Sequence, residues 1–333
     1  MAFPNVSDIV ATTIENRSKK ISDNATNNNA LLAKLKAGGN IRTISGGSSI
    51  MEEISFAENT NAGWYSGYDL LPVAAQDVIS AATFALKQAA VPVTISGLEQ
   101  LQNAGKEQMI DLLEARINVS EATMMNMLAN GVYSDGTGSG GKEIVGLDAA
   151  IPIDTVTGRV DAGVYGGIDR ATWAFWRPYF QTDASAMTAG TIQGFMNTLW
   201  AQLVRGRDRP DLIVADSFMW QIYMASLQAI QRFTDPSTAK LGFPTIKYMD
   251  ADVVLDGGLY FASSSWGPGA TAKTMYFINT KYLKWRPHAQ RDMVPLSPNK
   301  RYAINQDAEV TILAWAGALT SCGQGFHGRL VSV

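Results

Sequence analysis

The chain has 333 residues, 46% of them hydrophobic and only 17% charged, with a formal net charge of −3 and a pI near 5.5. A charged share below the roughly 25% usual in soluble domains excludes a polyelectrolyte-like disordered chain, and the acidic balance excludes a strongly basic nucleic-acid reader. So few charges on a chain of this size imply either a large fold or a surface hidden against partners.

Cys322 is the single cysteine, so an intrachain disulfide framework is excluded. The N-terminal run MAFPNVSDIV has neither the basic nor the apolar region of an export signal. No apolar stretch approaches the roughly 18 residues of a membrane span. The chain is therefore expected in a reducing cytoplasm with no membrane partner.

Residues 1–45 are a polar, Asn-rich leader. Within NATNNNALLAKLKAGGN, Leu31, Leu32 and Leu35 form one helical stripe that Gly38 and Gly39 stop. Three leucines cannot offset the ordering entropy of such a segment, so it reads as an arm that orders on something else. Residues 46–96 read as a long two-stranded excursion. Ile50, Glu52, Ile54 and Phe56 alternate imperfectly with Met51, Glu53, Ser55 and Ala57. The tip, ENTNAGWYSGYD, starts at Glu58 and carries Trp64, Tyr65 and Tyr68 between turn residues. The return run DVISAATFALKQAAVPVTIS mixes helix-favouring alanines with β-branched residues, and Pro92 stops a helix. It is assigned as strand.

The strongest periodicity follows. Met109, Leu112, Leu113, Ile117, Met124, Met127 and Leu128 recur near 3.6-residue spacing. They predict a helix from about Gly105 to a cap at Gly131, on the order of 39 Å long, a structural spine. A Gly-rich connection, YSDGTGSGGKEIVGLDAAI, comes next. Helices are then expected at about 189–205 and 217–232. Strands are expected in DLIVADS, TIKYMDADVVLD, GLYFASSS, TMYFINTKYLKWRP and AEVTILAWAGALTS. There is no regular βαβ repeat, so the fold class is α+β.

No motif points to catalysis. Gly136 to Lys142 matches G-x-x-x-x-G-K, but Glu143 stands where a phosphate loop needs the magnesium-binding hydroxyl. The loop also leaves a helix rather than a strand, so it reads as a hinge. His288 and His327, the only histidines, lack ligands at metal spacing. Neither an enzymatic role nor any cofactor or metal is expected. Arg205, Arg207, Arg209, Arg286, Arg291 and Arg301 read as solvated cations. The aromatic block from Trp173 to Phe180 reads as core, whereas Trp64, Tyr65 and Tyr68 on a remote turn are a contact signal.

The order of these parts resembles a tailed-bacteriophage major capsid protein with the Hong Kong 97-like fold. The resemblance is carried by NALLAKLKAGGN, GWYSGYDLL, ISGLEQLQNAGKEQMIDLLEAR, LANGVYSDGTGSGGKEIVGLDAAI and YGGIDRATWAFWRP. It implies an N-terminal arm (1–45) and an extended loop (46–96) that lies over a neighbouring subunit. It implies a peripheral domain with the spine helix (97–150 and 275–311) and an axial domain (151–274), with 312–333 a C-terminal strand in either. It implies homo-oligomerisation into hexamers and pentamers that close an icosahedral shell. The shell would enclose non-specifically held double-stranded DNA in a virion made in a bacterial host cytoplasm. Portal and scaffolding proteins, and optionally a decoration protein, are the implied partners. Leu31, Leu32 and Leu35 would serve as arm contacts, and Glu58, Trp64, Tyr65 and Tyr68 as loop-tip contacts.

Two departures follow from the resemblance. Some members crosslink through an extended-loop lysine, but no lysine lies between Gly46 and Leu86, and Lys87 is near the base of the return strand. No such crosslink is expected. Some members begin with a cleaved scaffolding region, whereas here the arm starts almost at once, implying a separate scaffold or one already removed. The alternatives are another virion part, such as a tail tube or decoration protein, and a nucleotide-binding enzyme. The shell reading predicts that neutral residues concentrate on residues 1–96 and on the spine.

Overall fold

The computed structural model describes residues 29–97, 106–183, 185–227, 245–256, 270–296, 301–302 and 308–333, with side chains in the long helix described from Arg116 onward. Most of the arm, residues 1–28, thus lies outside the described residues.

Helix α1 (Ala30–Ala37) starts where the Asn29 side chain accepts the Leu32 N–H at 3.1 Å and ends at Gly38, with Gly39 at φ +70°. Leu31, Leu32 and Leu35 are buried in the main core of the same chain. The arm stripe therefore orders on its own subunit here and is not left free for a neighbour. Beyond α1, the segment around Ile41 and Ile44 bridges in parallel to Trp285 and His288.

Strands β1 (Ser49–Ser55) and β2 (Ile79–Ala85) form the antiparallel hairpin read from the sequence, in register Ser49 with Ala85 through Ser55 with Ile79. Alternation is strict in β1: Ile50, Glu52 and Ile54 face inward, and Met51, Glu53 and Ser55 face outward. The return run continues as β3 (Lys87–Ser96). Helix α2 (Lys106–Tyr133) has 28 residues, a length of about 42 Å. It passes the expected cap at Gly131. That glycine serves packing instead: a Cβ there would meet the Ile144 side chain at 3.0 Å. At Gly146 a Cβ would collide with the Val132 carbonyl at 2.4 Å, so glycine lets the following turn lie against the helix end.

Two further layers complete the chain. One is a seven-stranded mixed sheet. Its strands are β4 (Gly158–Arg159), β5 (Tyr179–Thr182), β6 (Leu212–Ala215), β7 (Thr245–Tyr248), β8 (Ala251–Leu255), β9 (Thr274–Ile278) and β12 (Gly328–Val331). The spatial order is β4-β5-β12-β9-β6-β8-β7. Helices α3 (Ile192–Leu203) and α4 (Ser217–Leu227) contribute to the second core with this sheet. Ile192, Met196, Leu199, Trp200 and Leu203 form the buried stripe of α3. The other layer is a sheet built on β11 (Ala308–Ser321). One side of β11 pairs with β3 along 308–317, and the other takes β10 (Leu283–Pro287), Val294–Pro295 and Arg301–Tyr302 in turn.

One expectation needs correction and two others gain detail. TMYFINTKYLKWRP forms two strands in two sheets, β9 and β10. The C-terminal stretch 312–333 belongs to both sheets, because the chain turns at Gln324–Phe326 between β11 and β12. The aromatic block is only partly core: Trp176 and Phe180 are buried, but Trp173 is 46% exposed. The strand expected in GLYFASSS and the end of the helix expected at 217–232 lie outside the described residues.

Candidate functional site

The hairpin is fixed at its inner face and free at its end. Glu52 occupies an inward slot of β1 where a hydrophobic residue would fit. Its carboxylate instead accepts Arg286 Nε at 2.7 Å, Lys284 Nζ at 2.6 Å and the Thr320 hydroxyl at 2.9 Å. Burial pushes the Glu52 carboxyl up, but hydrogen bonds from Lys284, Arg286 and Thr320 prevail and hold it below the usual carboxylate range. Beyond β1, the Phe56 ring packs on Trp173 and Phe175, with centroids 5.7 and 5.8 Å away.

The loop between β1 and β2 closes on itself. Thr60 Oγ1 donates to Gln76 Oε1 at 2.8 Å, and Asn61 Nδ2 donates to the Ala74 carbonyl at 2.5 Å. At its apex the Asp69 carboxylate accepts the Ser66 N–H at 2.9 Å. Polar bonds shape this loop, so its apolar side chains are left outward. Trp64 and Tyr68 are fully exposed at 105% relative accessibility, Tyr65 stands at 67%, and Leu70 and Val73 are exposed beside them. Glu58 is exposed at the start of the loop. The four tip residues expected from sequence thus share one exposed excursion.

The spine residues divide differently. Ile117, Met124 and Leu128 are buried in the main core, and Met127 is 45% exposed. The side chains of Met109, Leu112 and Leu113 lie outside the described residues. At the C-terminal end of α2, Asp256 accepts hydrogen bonds from Asn29 Nδ2 at 3.1 Å and from the Tyr133 hydroxyl. This cluster joins α1, α2 and the end of β8. Burial raises the Asp256 pKa to about 6, against the lowering effect of the Tyr133 bond.

The Gly-rich loop is already occupied by its own groups. Ser134 Oγ accepts the Gly136 N–H and Asp135 Oδ1 accepts the Thr137 N–H, both at 2.9 Å, and Thr137 O accepts the Gly141 N–H at 3.1 Å. The Glu143 carboxylate stands within 2.4 Å of where a Gly138 side chain would be and accepts the Ser134 hydroxyl at 2.9 Å. An incoming phosphate would meet a carboxylate where it needs donors. Among the described residues no group of three or more His, Cys, Asp or Glu is placed to hold a metal. Among the same residues no helix is long and apolar enough to cross a membrane.

Sequence reading missed the Glu52 cluster. Its one local signal is a carboxylate at an inward position of an alternating run, and the sequence around Arg286 shows only a cation.

No protein-family model matches the chain, and no curated protein matches it in sequence. Solved structures do. The chain is similar to one from the cyanophage A-1(L) capsid asymmetric unit at 16% identity and TM-score 0.63, over 90% of this chain and 92% of that one. It is similar to one from the capsid of an empty GTA particle at 12% identity and TM-score 0.55, over 89% of each chain. A chain of Mycobacterium phage Bobi matches at 11% identity and TM-score 0.52, over 91% of this chain and 90% of that one. Over about nine-tenths of its length the chain therefore has the fold of these capsid structures.

Proposed function

We propose that this chain is the major capsid protein of a tailed bacteriophage, a shell-forming structural subunit of the Hong Kong 97-like kind. The observation that carries the reading is the capsid fold matched over nine-tenths of the chain. A hairpin whose apolar tip has no place in its own core supports it. In this reading residues 46–96 are the extended loop and α2 is the spine helix. The sheet built on β11 is the centre of the peripheral domain, and the seven-stranded sheet that of the axial domain. Subunits form hexamers and pentamers that close a shell around double-stranded DNA, which is held without sequence preference.

The mechanism is repetition. Each contact between subunits is modest, but every subunit is gripped by several neighbours, so closure is favoured collectively. The Glu52 cluster fixes the direction in which the hairpin leaves the body, and the tip supplies apolar area that is covered only in the assembly. No catalytic step is involved. No isopeptide crosslink forms either, because Lys87 lies at the hairpin base with its Nζ bonded to the Gly141 carbonyl. Expression of the chain in bacteria followed by negative-stain microscopy tests the reading. Closed shells are expected, whereas open tubes or monodisperse monomers would overturn it.

A further inference from the structure

Two aspartates on one strand hold helix α1, and their surroundings differ. Asp252 lies in β8 and Asp256 just past its end, where the Asp256 N–H still donates to the Ala215 carbonyl of β6 at 3.1 Å. Four positions apart on an extended run, they point to one side. Asp252 accepts Lys34 Nζ of α1 at 2.5 Å, and Lys247 Nζ of β7 lies 3.3 Å from its other oxygen. Asp256 meets only neutral donors, Asn29 Nδ2 at 3.1 Å and the Tyr133 hydroxyl. Asn29, Tyr133 and Asp256 are all buried. Among the described residues α1 is thus clasped at one end by an ion pair and at the other by a buried carboxylate with no cation.

The remaining titratable and charged groups around this joint are engaged elsewhere. Burial and the neighbouring Asp256 push the Tyr133 phenol well above its ordinary value of 10, so it stays a donor. On β9, Tyr276 packs its ring 5.8 Å from that of Tyr133 and donates its hydroxyl to Asp148, which also pairs with Arg329 at 2.9 Å. After β6, Asp216 accepts the N–H groups of Met219 at 2.8 Å and Lys273 at 2.6 Å, and burial raises its pKa. From Gly257 to Ala272 the sequence holds no charged residue.

The chain is tied again beyond α1. Asn40 Nδ2 donates to the Thr280 carbonyl at 2.9 Å, and Ile41 bridges to Trp285. Between the two ties lie Gly38 and Gly39, the latter at φ +70° with open space around it. The helix can therefore lift about this turn while the chain stays tethered at Asn40. Lifting exposes Leu31, Leu32 and Leu35, whose burial holds the helix down at any pH. It also brings water to Asp256.

We propose that Asn29, Asp256 and Tyr133 form a proton-dependent clasp that holds the arm helix to its own subunit more firmly in mild acid than at neutral pH. Both bonds fall on Asp256 Oδ2, so a proton on Oδ1 leaves them intact. With α1 docked, burial raises the Asp256 pKa to about 6, against the lowering effect of Tyr133. With α1 lifted, hydration returns it toward 3.8. Lifting therefore releases a proton. The clasp is strongest below pH 3.8, weakens as pH rises through 6 and is level above. Burial pushes Asp252 up, but Lys34 and Lys247 prevail and hold it below 3.8, so its loss of Lys34 on lifting does not titrate in this range.

The test is hydrogen–deuterium exchange of the α1 amides in the unassembled full chain at pH 7.5 and pH 5. Rates are corrected for intrinsic exchange at each pH, and the β11 amides report global unfolding. Protection of α1 should rise about ten-fold at the lower pH. In Asp256→Asn, which puts an amide where the protonated carboxyl stands, protection should sit at the acid level at both pH values. Protection that is unchanged or lower at pH 5, or a rise that survives in Asp256→Asn, would overturn the clasp. Tyr133→Phe serves where Asp256→Asn does not fold. It removes the bond that lowers the Asp256 pKa, so the midpoint of the response should move to higher pH, and an unmoved or lowered midpoint would contradict the clasp. The readout is on the subunit alone, so the clasp and the shell reading stand or fall separately.

Discussion

Glu52 and Arg286 lie 234 positions apart in the chain, and the Glu52 carboxylate accepts Arg286 Nε at 2.7 Å. The pair links the hairpin that leaves the subunit to the sheet that stays in it. Lys284 and Arg286 expose only 18% and 15% of their side chains. Removing the carboxylate therefore leaves two poorly solvated cations. Glu52→Gln is expected to cost about 3 kcal/mol of subunit stability, measured by guanidinium unfolding, and to speed proteolysis within residues 56–78. Because the Glu52 pKa is lowered from its ordinary value of 4.5, the support it gives is complete above that pH. It is lost as pH falls through the lowered value.

His327 is expected to make the fold acid-sensitive over a different range. It is fully buried, and burial pushes its pKa down from 6.5 to about 4. Nδ1 accepts the Asn279 N–H at 3.4 Å, leaving the ring proton on Nε2 beside Ser321 Oγ. A second proton would face that N–H. The unfolded chain takes up this proton below pH 6.5 and the folded chain only near 4, so stability falls on acidification between the two and is level above. The loss attributable to His327 is about 3 kcal/mol. Asp256, whose pKa is raised to about 6, contributes the opposite slope. The measurement is therefore the difference between wild type and His327→Gln at pH 7 and pH 4, which should shift in favour of the variant.

Leu31 distinguishes an arm packed on its own subunit from one packed on a neighbour. It is fully buried in the main core. Leu31→Ala is expected to destabilise the isolated subunit by about 2–5 kcal/mol. Unfolding of a non-assembling preparation that shows no change would place the arm elsewhere.

The loop tip should behave in the opposite way. Trp64, Tyr65 and Tyr68 touch no core, so replacing all three with Ala should change the thermal unfolding of the subunit within about 0.5 kcal/mol. The same variant should lose most of its particle yield on a density gradient. Normal yield would refute their role as intersubunit anchors.

Much of this fold was legible where local pattern and final position agree. The repeat from Ile117 to Leu128 placed the spine helix, and Trp64 to Tyr68 among turn residues marked an exposed apex. What was not legible depends on contacts across the chain. Nothing near Glu52 announces Lys284 and Arg286, so an inward carboxylate looked like imperfect alternation. Thr274–Ile278 and Leu283–Pro287 are both strand-like, and only their partners, β6 and β12 for one and β11 for the other, assign them to different sheets. Gly131 suggested a cap because a glycine that ends a helix and one that admits Ile144 look alike in sequence. The low charge noted at the outset is legible in both ways. Part of it is core, and part is the exposed apolar tip of the loop.

The measurement that bears most directly on the account is a cryo-electron microscopy reconstruction of particles formed by the expressed chain. The account predicts hexameric and pentameric capsomers in a closed shell, with the Trp64–Tyr68 tip lying on a different subunit from the one that carries it. A reconstruction in which the tip folds back on its own subunit, or in which the chain forms no closed shell, would contradict it.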